Sequence, residues 1–487
     1  MNLETIPSMK YTTATILLTF VLFGATAQTR VDLIIQDVNI VDVANGKTIG
    51  HQTVAVRQGR IVDTGPHSIE KKYKADKTVN ATGKFAMPGL WDMHVHFGGD
   101  TLVDENEQLL PLYLAWGVTT VRDCAEDISL DVIKWKNEIN DGKRNGPRIF
   151  TSGPKLEGPK SIWPGDLEIA NHDELMAALD SLQKLKVDFI KITDNTMPPS
   201  LFLESVREAR KRGWKVSGHV PASITLEDIS AAGLSSIEHL GYVLRAATTE
   251  EARIARMRGD NTMTGAEASA ITLQTRDTSV ALKNFRILAH QGTAVVPTMN
   301  GSHITAYLDQ DDHIHDDYLK YLGPDLKRTY GWRVQRALKD DATAIELRHR
   351  NFEASATLLP FLEKAGVNII AGTDAGFLNS FNYPGLGIHQ ELAMMVNYGL
   401  SPVSALRASV INGPAFFSVQ KDYGALAGGK IADILILDAD PLKDITATQK
   451  IYAVVRNGGY ADRQMLDESL KELAQWVSDK EAKEKAH

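Results

Sequence analysis

An α/β fold built on a (β/α)8 barrel is predicted by two features of the 487-residue sequence. Between residues 85 and 419, short apolar runs alternate with amphipathic helical stretches. Continuous apolar runs separated by helices are typical of a parallel sheet with a covered outer face. There are also eight of these runs, the number of strands in a closed barrel. They are FAMPGLWDMHVH, VTTVRD, RIFTSG, DFIKIT, KVSGHV, SIEHLG, AVVPTM and NIIAGTDAG.

The stretches between the runs carry helix signals. Residues 173–186, DELMAALDSLQKLK, and residues 198–213, which end at Gly213, both have amphipathic patterns with ordinary termini. Two connections, 243–284 and 301–359, are longer than ordinary loops between a strand and a helix. We expect these insertions to shape or cover the substrate end of the barrel.

Two strand-rich segments flank the predicted barrel. Residues 28–84 and 420–463 alternate apolar and polar residues between turn signals such as Asn45-Gly46, which predicts short antiparallel strands. We expect the two segments to pair into one small composite β-sandwich. Residues 464–487 are charged and helical in pattern, which predicts a surface helix that frays.

Residues 1–27 predict a secretory signal peptide. Lys10 precedes an uncharged apolar stretch, and Ala25-Thr26-Ala27 has the small-x-small pattern of a cleavage site. The strongly apolar part, residues 14–25, is shorter than the roughly 20 residues that a membrane-spanning helix needs. We therefore expect cleavage after Ala27, export to the periplasm or the extracellular space, and no stable membrane span afterwards. An uncleaved membrane anchor is the alternative.

The amino-acid composition limits the classes of molecule that the protein is expected to bind. The formal net charge is -8, and acids and bases are interspersed, so nothing predicts binding to nucleic acid. Cys124 is the single cysteine, which excludes an intrachain disulfide and a multi-thiolate metal site. We expect a small-molecule substrate, and the sequence is compatible with a homo-oligomer.

Several predicted strands end in a residue that can bind a metal ion. The carboxyl ends of parallel barrel strands meet at one mouth, so residues far apart in sequence converge there. Strand alternation places the two histidines of the first run on the same side of the chain. The candidates are His94 and His96 in run one, Lys191 in run four, His219 in run five, His239 in run six and Asp374 in run eight.

This set supplies nitrogen and oxygen donors without thiolate, which fits zinc best, with manganese, iron or cobalt as alternatives. The ammonium of Lys191 has no lone pair and would be repelled by a divalent cation. It would have to be neutral, displaced or converted, and reaction with carbon dioxide gives a carbamate whose two oxygens can bridge two ions. Taken singly, each histidine is more often a core or surface residue, and a lysine at a strand end is ordinary. Only the occurrence of all six residues at or near the ends of predicted strands favours a metal site.

At this point the chain resembles the metal-dependent amidohydrolase superfamily, in its imidazolonepropionase-like and prolidase-like (Xaa-Pro dipeptidase-type) branch. The resemblance covers about residues 31–460. It implies a barrel with a composite β-sandwich and a site for two divalent ions. The motifs that carry it are ATGKFAMPGLWDMHVH, WGVTTVRD, GTDAG, HQELAMMVNYGLSPVSALRASVINGPA and GALAGGKIADILILDADPL.

By position, the resemblance implies that two groups of side chains hold two ions. His94, His96 and Asp374 would bind the buried ion, and His219 and His239 the exposed one. Lys191, carboxylated on its Nζ, would bridge them. The sequence departs from the branch at Leu240, where a glycine is common, and in its two long insertions. These departures leave the substrate open.

The implied activity is hydrolysis of the amide bond of a dipeptide or an N-acyl amino acid by metal-activated hydroxide. We expect Asp374 to accept the proton of that hydroxide and to deliver it to the leaving nitrogen. Tyr242 is a candidate to bind substrate and to donate a hydrogen bond to the developing oxyanion, or else a packing residue. Arg122 is a candidate to bind a substrate carboxylate, or else pairs with Asp123 or another structural acid.

Other functions remain open at this point. The same site could attack a lactone, an ester or a phosphotriester, and no motif separates these from an amide. A catalytically silent metal-binding protein would have no need of Asp374 or Lys191. A mononuclear deaminase would have no lysine in strand four, and would have an acid shortly after the strand-five histidine, where this chain has HVPAS.

Overall fold

The computed structural model describes Met1 and residues 28–486, in the order of elements that the sequence predicts. The predicted signal peptide, apart from Met1, lies outside the described residues. Among the helices of the described part, none combines the length and apolar character that crossing a bilayer requires.

The described chain begins with five strands. The first three pair antiparallel, and the fourth and fifth pair parallel with the first, so the prediction of antiparallel strands holds only in part. The first hairpin closes at Asn45-Gly46, where Gly46 takes a positive φ of 63° that a glycine adopts without strain. The strands are β1 (Thr29–Asp42), β2 (Lys47–Arg57), β3 (Arg60–Pro66), β4 (Tyr73–Asn80) and β5 (Phe85–Pro88).

The middle of the chain forms parallel strands in two hydrogen-bonded groups, ordered β15-β6-β7-β8 and β10-β9-β11-β12-β13-β14. Their buried, apolar character follows from cover on both sides. The strands are β6 (Leu90–His96), β7 (Val118–Asp123), β8 (Arg148–Thr151), β9 (Leu156–Glu157), β10 (Leu167–Glu168), β11 (Ile190–Ile192), β12 (Val216–Gly218), β13 (Ser236–Glu238), β14 (Ala294–Val296) and β15 (Ala375–Gly376).

Backbone hydrogen bonds join the two groups into one barrel. The carbonyl of Thr151 in β8 accepts from the amide of Asp188, just before β11, at 2.9 Å. On the other side, the extended segment 369–371 pairs with β14, and its last carbonyl accepts from Met93 of β6 at 3.0 Å. The ring therefore contains eight strands, β6, β7, β8, β11 to β14 and this segment. All eight lie in the predicted apolar runs, so the predicted fold class is confirmed.

The two flanks pair directly with each other. Near the C-terminus, the chain adds β16 (Ile434–Leu437), β17 (Ile451–Arg456) and β18 (Gly459–Asp462). They complete an eight-stranded sheet, β18-β17-β16-β5-β1-β2-β3, with β4 on β1. Strand β5 is the junction, since it pairs antiparallel with β16 and parallel with β1. The flanking unit has an apolar core of its own, which includes Leu33, Ile35, Val54, Ile434 and Ile436.

Helices cover the outside of the barrel. The side chain of Asn171 accepts from the amide of Glu174 and caps α4, and α5 begins at a proline and ends just before Gly213, as predicted. The first nine helices are α1 (Val103–Glu107), α2 (Leu109–Ala115), α3 (Ser129–Asn140), α4 (His172–Leu185), α5 (Pro199–Lys211), α6 (Leu226–Ala231), α7 (Glu251–Gly259), α8 (Gly265–Thr275) and α9 (Thr278–Gln291).

Both long insertions are helical. The first contains α7 and α8, and the second contains most of α10 and all of α11 to α13. The remaining helices are α10 (Met299–Ala306), α11 (Pro324–Thr329), α12 (Gly331–Ala337), α13 (Ala342–Ala356), α14 (Leu359–Ala365), α15 (Leu386–Asn397), α16 (Pro402–Val410), α17 (Asn412–Phe416) and α18 (Arg463–Ala486).

The C-terminal helix is packed more firmly than the fraying surface helix that the sequence predicts. Helix α18 is continuous to Ala486 and buries Leu466, Leu473 and Val477 at helical spacing. Lys480 also pairs with Glu105 at 2.9 Å. The helix is held because this apolar stripe, which its many charges obscure in the sequence, packs onto the protein.

Candidate active site

Four imidazoles and one carboxylate converge at the mouth of the barrel. His94 and His96 lie at the end of β6, while His219 and His239 directly follow β12 and β13. The Nε2 atoms of His94 and His96 are 3.2 Å apart, and those of His219 and His239 are 3.0 Å apart. Asp374, just before β15, places Oδ1 3.0 Å from His96 Nε2 and 3.4 Å from His94 Nε2. The convergence expected from parallel strands is therefore present.

The second ring nitrogen, Nδ1, of His94 and of His96 is fixed by a hydrogen bond to the surrounding protein. His94 Nδ1 lies 2.7 Å from Glu238 Oε2, and His96 Nδ1 lies 2.7 Å from the carbonyl of Ala125. A carbonyl or a carboxylate only accepts, so each Nδ1 carries the proton and a neutral ring presents the lone pair of Nε2. The two Nε2 atoms, 3.2 Å apart, therefore need a cation between them, either a proton or a metal ion. This arrangement is the usual one for histidines that bind metals.

Strained backbone occurs at the same place. His239, Asp374 and Thr298 have positive φ values of 69°, 68° and 46°. Thr298 Oγ1 lies 2.7 Å from His239 Nδ1 and orients that ring. Non-glycine residues in this region of backbone space are rare and concentrate at functional sites.

Three of the four imidazoles are neutral at neutral pH. Burial, and then the charge of Lys191, hold the pKa of His94 and of His219 well below the ordinary value of 6.5. Burial lowers the pKa of His239 to about 4. Neutral imidazole is the form that binds a cation, so these rings are ready to act as ligands.

His96 differs from the other three rings. Burial lowers its pKa, but hydrogen bonds to Asp374 and Glu126 outweigh burial and raise the pKa to about 9. Asp374 is ionised, because the electrostatic effect of the surrounding imidazoles and the hydrogen bond from His96 outweigh burial and hold its pKa well below the ordinary value. A proton shared between His96 and Asp374 thus occupies the position that a cation would take.

Lys191 is the polar group of the site without a partner. Its side chain is 1% exposed, and its Nζ has no hydrogen-bond partner among the described residues. Burying an unpaired amine or ammonium is unfavourable. Conversion of Nζ to a carbamate would provide two oxygens beside the imidazoles, so the residues present fit the two ions and the carboxylated lysine that the resemblance implies.

The described residues contain a second buried group of donors at this place. His94, His239 and Asp374 have donor atoms within 4.8 Å of one another, and so do His94, Cys124 and Glu238. Burial raises the pKa of the Cys124 thiol to about 12, which leaves it uncharged and a weak ligand. The first group is the better cation site.

Arg122 does not line the site, and its predicted role in binding a substrate carboxylate is wrong. The side chain is fully buried. Its Nη2 donates to Glu238 Oε2 at 2.7 Å, its Nη1 donates to Ser236 Oγ at 3.3 Å, and its Nε donates to the carbonyl of Met93. The alternative prediction of a structural ion pair fits, with Glu238 and not Asp123 as the acid.

Tyr242 does reach the site. Its ring stacks on His219 with 5.5 Å between ring centroids, and its hydroxyl donates to Asp194 Oδ1 at 3.4 Å. Burial, and then the charge of Asp194, raise the pKa of Tyr242 well above its ordinary value. The hydroxyl therefore stays protonated and can donate to a substrate oxygen.

A pocket of about 420 Å³ opens from these side chains. Its floor contains His219, His239, Asp374 and Tyr242, and its walls come partly from α10, α12 and α13. The volume is that of an ordinary small-molecule site. The second insertion therefore shapes the substrate end of the barrel, as the sequence predicts.

Comparison with known proteins agrees with this fold and site. The Amidohydrolase family model matches residues 85–460, most of the chain. The chain belongs to the amidohydrolase family. This amidohydrolase is thus a hydrolase that acts on carbon–nitrogen bonds, as predicted.

Individual relatives of the amidohydrolase are distant. An ochratoxinase from Aspergillus niger is 25% identical over 421 residues, 79% of this chain and 77% of the relative. The structure of a bottromycin amidohydrolase has a TM-score of 0.71 at 20% identity and covers 91% of this chain and 90% of that one. A Xaa-Pro dipeptidase with bound methionine has a TM-score of 0.63 at 19% identity, with 88% and 99% covered. At these identities, the two structures establish the fold of the amidohydrolase and no more.

The sequence reasoning missed two residues of the site. Glu238, which orients His94 and pairs with Arg122, stands in the apolar run SIEHLG. A carboxylate inside a buried strand was a usable signal, since such a group needs partners. Arg333 lies within 3.7 Å of Asp374 and lines the pocket, but no motif in the second insertion marks it.

Proposed function

We propose that this protein is an exported, binuclear metal-dependent amidohydrolase that cleaves the amide bond of a dipeptide or an N-acyl amino acid. One observation carries the proposal. Two pairs of imidazole nitrogens face each other at 3.2 and 3.0 Å beside a buried lysine nitrogen that has no partner among the described residues. Each pair needs a proton or a metal ion between its nitrogens, and two metal ions with a carboxylated lysine would satisfy all of these groups together.

The ligand assignment is part of this proposal. One ion would be bound by His94, His96 and Asp374. The other ion would be bound by His219 and His239, and carboxylated Lys191 would bind both ions. Zinc suits these donors best, with manganese, iron or cobalt as alternatives. When bound, the two ions would lower the pKa of a shared water and supply hydroxide at neutral pH.

The side chains of the site provide the remaining steps. Asp374 is ionised, and Asn379 Nδ2 donates to its Oδ1 at 3.2 Å, which fixes the carboxylate. It would accept the proton released at attack and deliver it to the leaving nitrogen. Tyr242 would bind the substrate carbonyl and donate to the oxygen as negative charge develops there.

Metal analysis with a substrate panel tests the proposal first. We expect about two divalent ions per chain in the purified mature protein, and release of amino acid from dipeptides or N-acyl amino acids. If two ions are bound but only lactones, esters or phosphotriesters are cleaved, one of these classes replaces the amide as the proposed substrate. No retained metal, and none taken up on reconstitution, would refute the site.

Replacing Lys191 tests the bridge. We expect Lys191→Ala to lose metal, and short-chain carboxylic acids to restore part of it by supplying the missing oxygens. The matched control is Lys211→Ala, since that side chain is 70% exposed and far from the barrel mouth in the fold. Full metal occupancy in Lys191→Ala without added acid would count against the bridge.

Replacing Asp374 tests the proton transfer. We expect Asp374→Asn to abolish turnover in a protein that still folds, because the amide accepts no proton at neutral pH. Activity within a factor of a few of the wild type would exclude Asp374 from this role.

Export is proposed on the leader alone. Lys10, the apolar residues 14–25 and the pattern Ala25-Thr26-Ala27 support it. The described fold begins with β1 at Thr29, so cleavage after Ala27 would leave every described strand intact. N-terminal sequencing of the protein recovered from the periplasm or medium should begin at Gln28, and an intact Met1 would contradict cleavage.

A further inference from the structure

Part of the pocket lining is positively charged. Three arginines of the second insertion line it, Arg333 and Arg336 on α12 and Arg348 on α13. Asp374 is the single carboxylate among the pocket-lining residues that the structure describes. The pocket thus carries more positive than negative charge before any metal ion is counted.

These arginines differ in whether a carboxylate of the protein neutralises their charge. Arg348 pairs with Asp340 and, at 3.2 Å, with Asp309. Arg336 lies over the ring of Trp332, and no carboxylate of the described residues pairs with it. Arg348 is therefore a structural residue, while Arg336 leaves a charge facing solvent and the pocket.

Arg333 has the position closest to the reacting groups. Its Nε donates to the carbonyl of Leu378 at 3.2 Å, and its Nη2 donates to Asn379 Oδ1. Among the described residues, Asp374 is the one carboxylate that forms an ion pair with it, with 3.7 Å between Nη2 and Oδ2. Among the described residues, Nη1 has no hydrogen-bond acceptor. These contacts fix the guanidinium while leaving donors for an anion.

The charge of Arg333 is tied to the proposed chemistry. If Asp374 binds a cation, its negative charge is shared with that ion. The other carboxylate of the described residues that acts on Arg333, Glu126, is already paired with Lys155. A partly buried arginine without a counterion is a binding site for a carboxylate, whose two oxygens match the guanidinium fork.

We propose that Arg333 binds a free carboxylate next to the scissile amide, and so selects N-acyl amino acids and dipeptides with an unblocked α-carboxylate. This inference rests on the proposed function. An α-carboxylate is separated from the scissile carbonyl carbon by only the amide nitrogen and one carbon. The short distance between Arg333 and Asp374 suits that spacing better than a carboxylate at the far end of a long substrate. Arg336, one turn further along α12, adds attraction at long range.

Apolar side chains form another part of the pocket. Trp163, from the loop between β9 and β10, contacts Trp332 of α12 with 5.3 Å between ring centroids. Met299 and Phe352 line the same pocket. The carboxylate is therefore expected beside an apolar or aromatic side chain, which makes N-acetyl-L-phenylalanine a suitable probe.

The test compares substrates with and without the carboxylate. N-acetyl-L-phenylalanine and N-acetyl-2-phenylethylamine share the scissile acetamide and the ring, and a panel extends the comparison to other N-acetyl amino acids and their decarboxylated counterparts. We expect kcat/KM to be about 100-fold higher for the members with a carboxylate, the size of effect for a lost charged hydrogen-bond partner. Equal cleavage of both kinds would overturn the role of Arg333 and leave the proposed function standing. Cleavage of neither kind, together with no cleavage of dipeptides, would refute the proposed function instead.

Arg333→Met tests the residue itself. We expect KM for N-acetyl-L-phenylalanine to rise, with most of the 100-fold advantage lost, and Arg333→Lys to retain part of it. The kcat/KM for N-acetyl-2-phenylethylamine should fall much less, so the ratio of kcat/KM between the two substrates is the readout. Arg350→Met is the matched control, because that arginine lies on α13 with a 56% exposed side chain and does not line the pocket.

A binding measurement provides a readout without turnover. Calorimetry with the product L-phenylalanine should give weaker binding to Arg333→Met than to the wild type, while 2-phenylethylamine binds both equally. Unchanged affinity for L-phenylalanine, in a variant with wild-type metal content, would overturn the proposal. If Arg333→Met fails to fold, the substrate comparison on the wild type decides.

Discussion

At the scale of single residues, two arginines show how little a residue type says without its neighbours. Arg122 and Arg333 are both candidates for a carboxylate. The first is buried against Glu238, and the second faces the pocket. Every residue of β7 is buried, so alternation along the strand gives no signal of which side Arg122 occupies. Its partner lies 116 residues away, a contact that no local pattern encodes.

Replacing Arg122 should affect stability and not substrate binding. Arg122→Met leaves Glu238 charged and without its cation in a fully buried place, which should cost about 3–5 kcal/mol of unfolding free energy. Denaturant unfolding measures this loss. The control is Arg207→Met on the exposed side of α5, which should stay within about 0.5 kcal/mol of the wild type. A stable Arg122→Met protein with a strongly raised KM would restore its original assignment.

A buried glutamate behind the pocket predicts a pH dependence of stability. Glu391 on α15 is fully buried, and its Oε2 accepts from the amide of Asn300 at 2.7 Å. Burial raises its pKa from 4.5 to about 8. The folded state then holds a proton that the unfolded chain has released. The stability that this group contributes is fully present below pH 4.5 and is lost as the pH rises towards 8, by at most about 1.4 kcal/mol per pH unit.

The variant Glu391→Gln isolates this effect, since glutamine resembles the protonated acid and does not titrate. We expect its melting temperature to fall less than that of the wild type between pH 5 and pH 8. Glu346→Gln, whose side chain is 71% exposed, should follow the wild type. Parallel pH profiles for Glu391→Gln and the wild type would show that Glu391 ionises normally.

At the scale of elements, the sequence predicts the barrel strands better than it predicts the packing of helices that mix charged and apolar residues. The eight apolar runs and the residues at their ends follow from a single physical fact: parallel barrel strands are buried on both faces and end at one mouth. His94 and His239 could therefore be placed from the sequence. Arg333 could not, because the insertion that carries it has no periodic pattern that fixes its packing. Helix α18 was misjudged for a related reason: its three buried residues are widely spaced among charges.

Helix α18 provides a test at this scale. Leu473→Ala should lower the unfolding free energy by about 2–5 kcal/mol, because the side chain is 4% exposed and its removal leaves a cavity. Thermal or denaturant unfolding measures the change. Lys471→Ala, at an exposed position of the same helix, is the control and should have little effect. A loss below 0.5 kcal/mol for Leu473→Ala would mean that α18 frays, as the sequence suggested.

At the scale of the whole molecule, the candidate site joins segments that are distant in the chain. His94 and Asp374 come from the first and last barrel strands, and His219 and His239 come from two strands between them. The flanks are joined in the same way, through β5 and β16. Binding of ions at the mouth should therefore stabilise the barrel as a unit and not one loop of it, since releasing them requires separating strands from both halves.

This linkage predicts the effect of metal removal on the whole protein. An ion that is 1,000-fold above its Kd stabilises the folded state by about 4 kcal/mol. With an unfolding entropy of about 2.1 cal/mol/K per residue, a chain of this size should lose roughly 4 °C of melting temperature per ion on chelation. Differential scanning calorimetry should show one transition that shifts down with a chelator and returns with added zinc. His94→Ala should lose the part of the response that comes from its own ion, while His172→Ala, with a 57% exposed side chain, should keep the whole response. A melting temperature that no chelator changes would mean that the facing imidazoles hold no ion, and that the strained backbone at His239 and Asp374 needs another explanation.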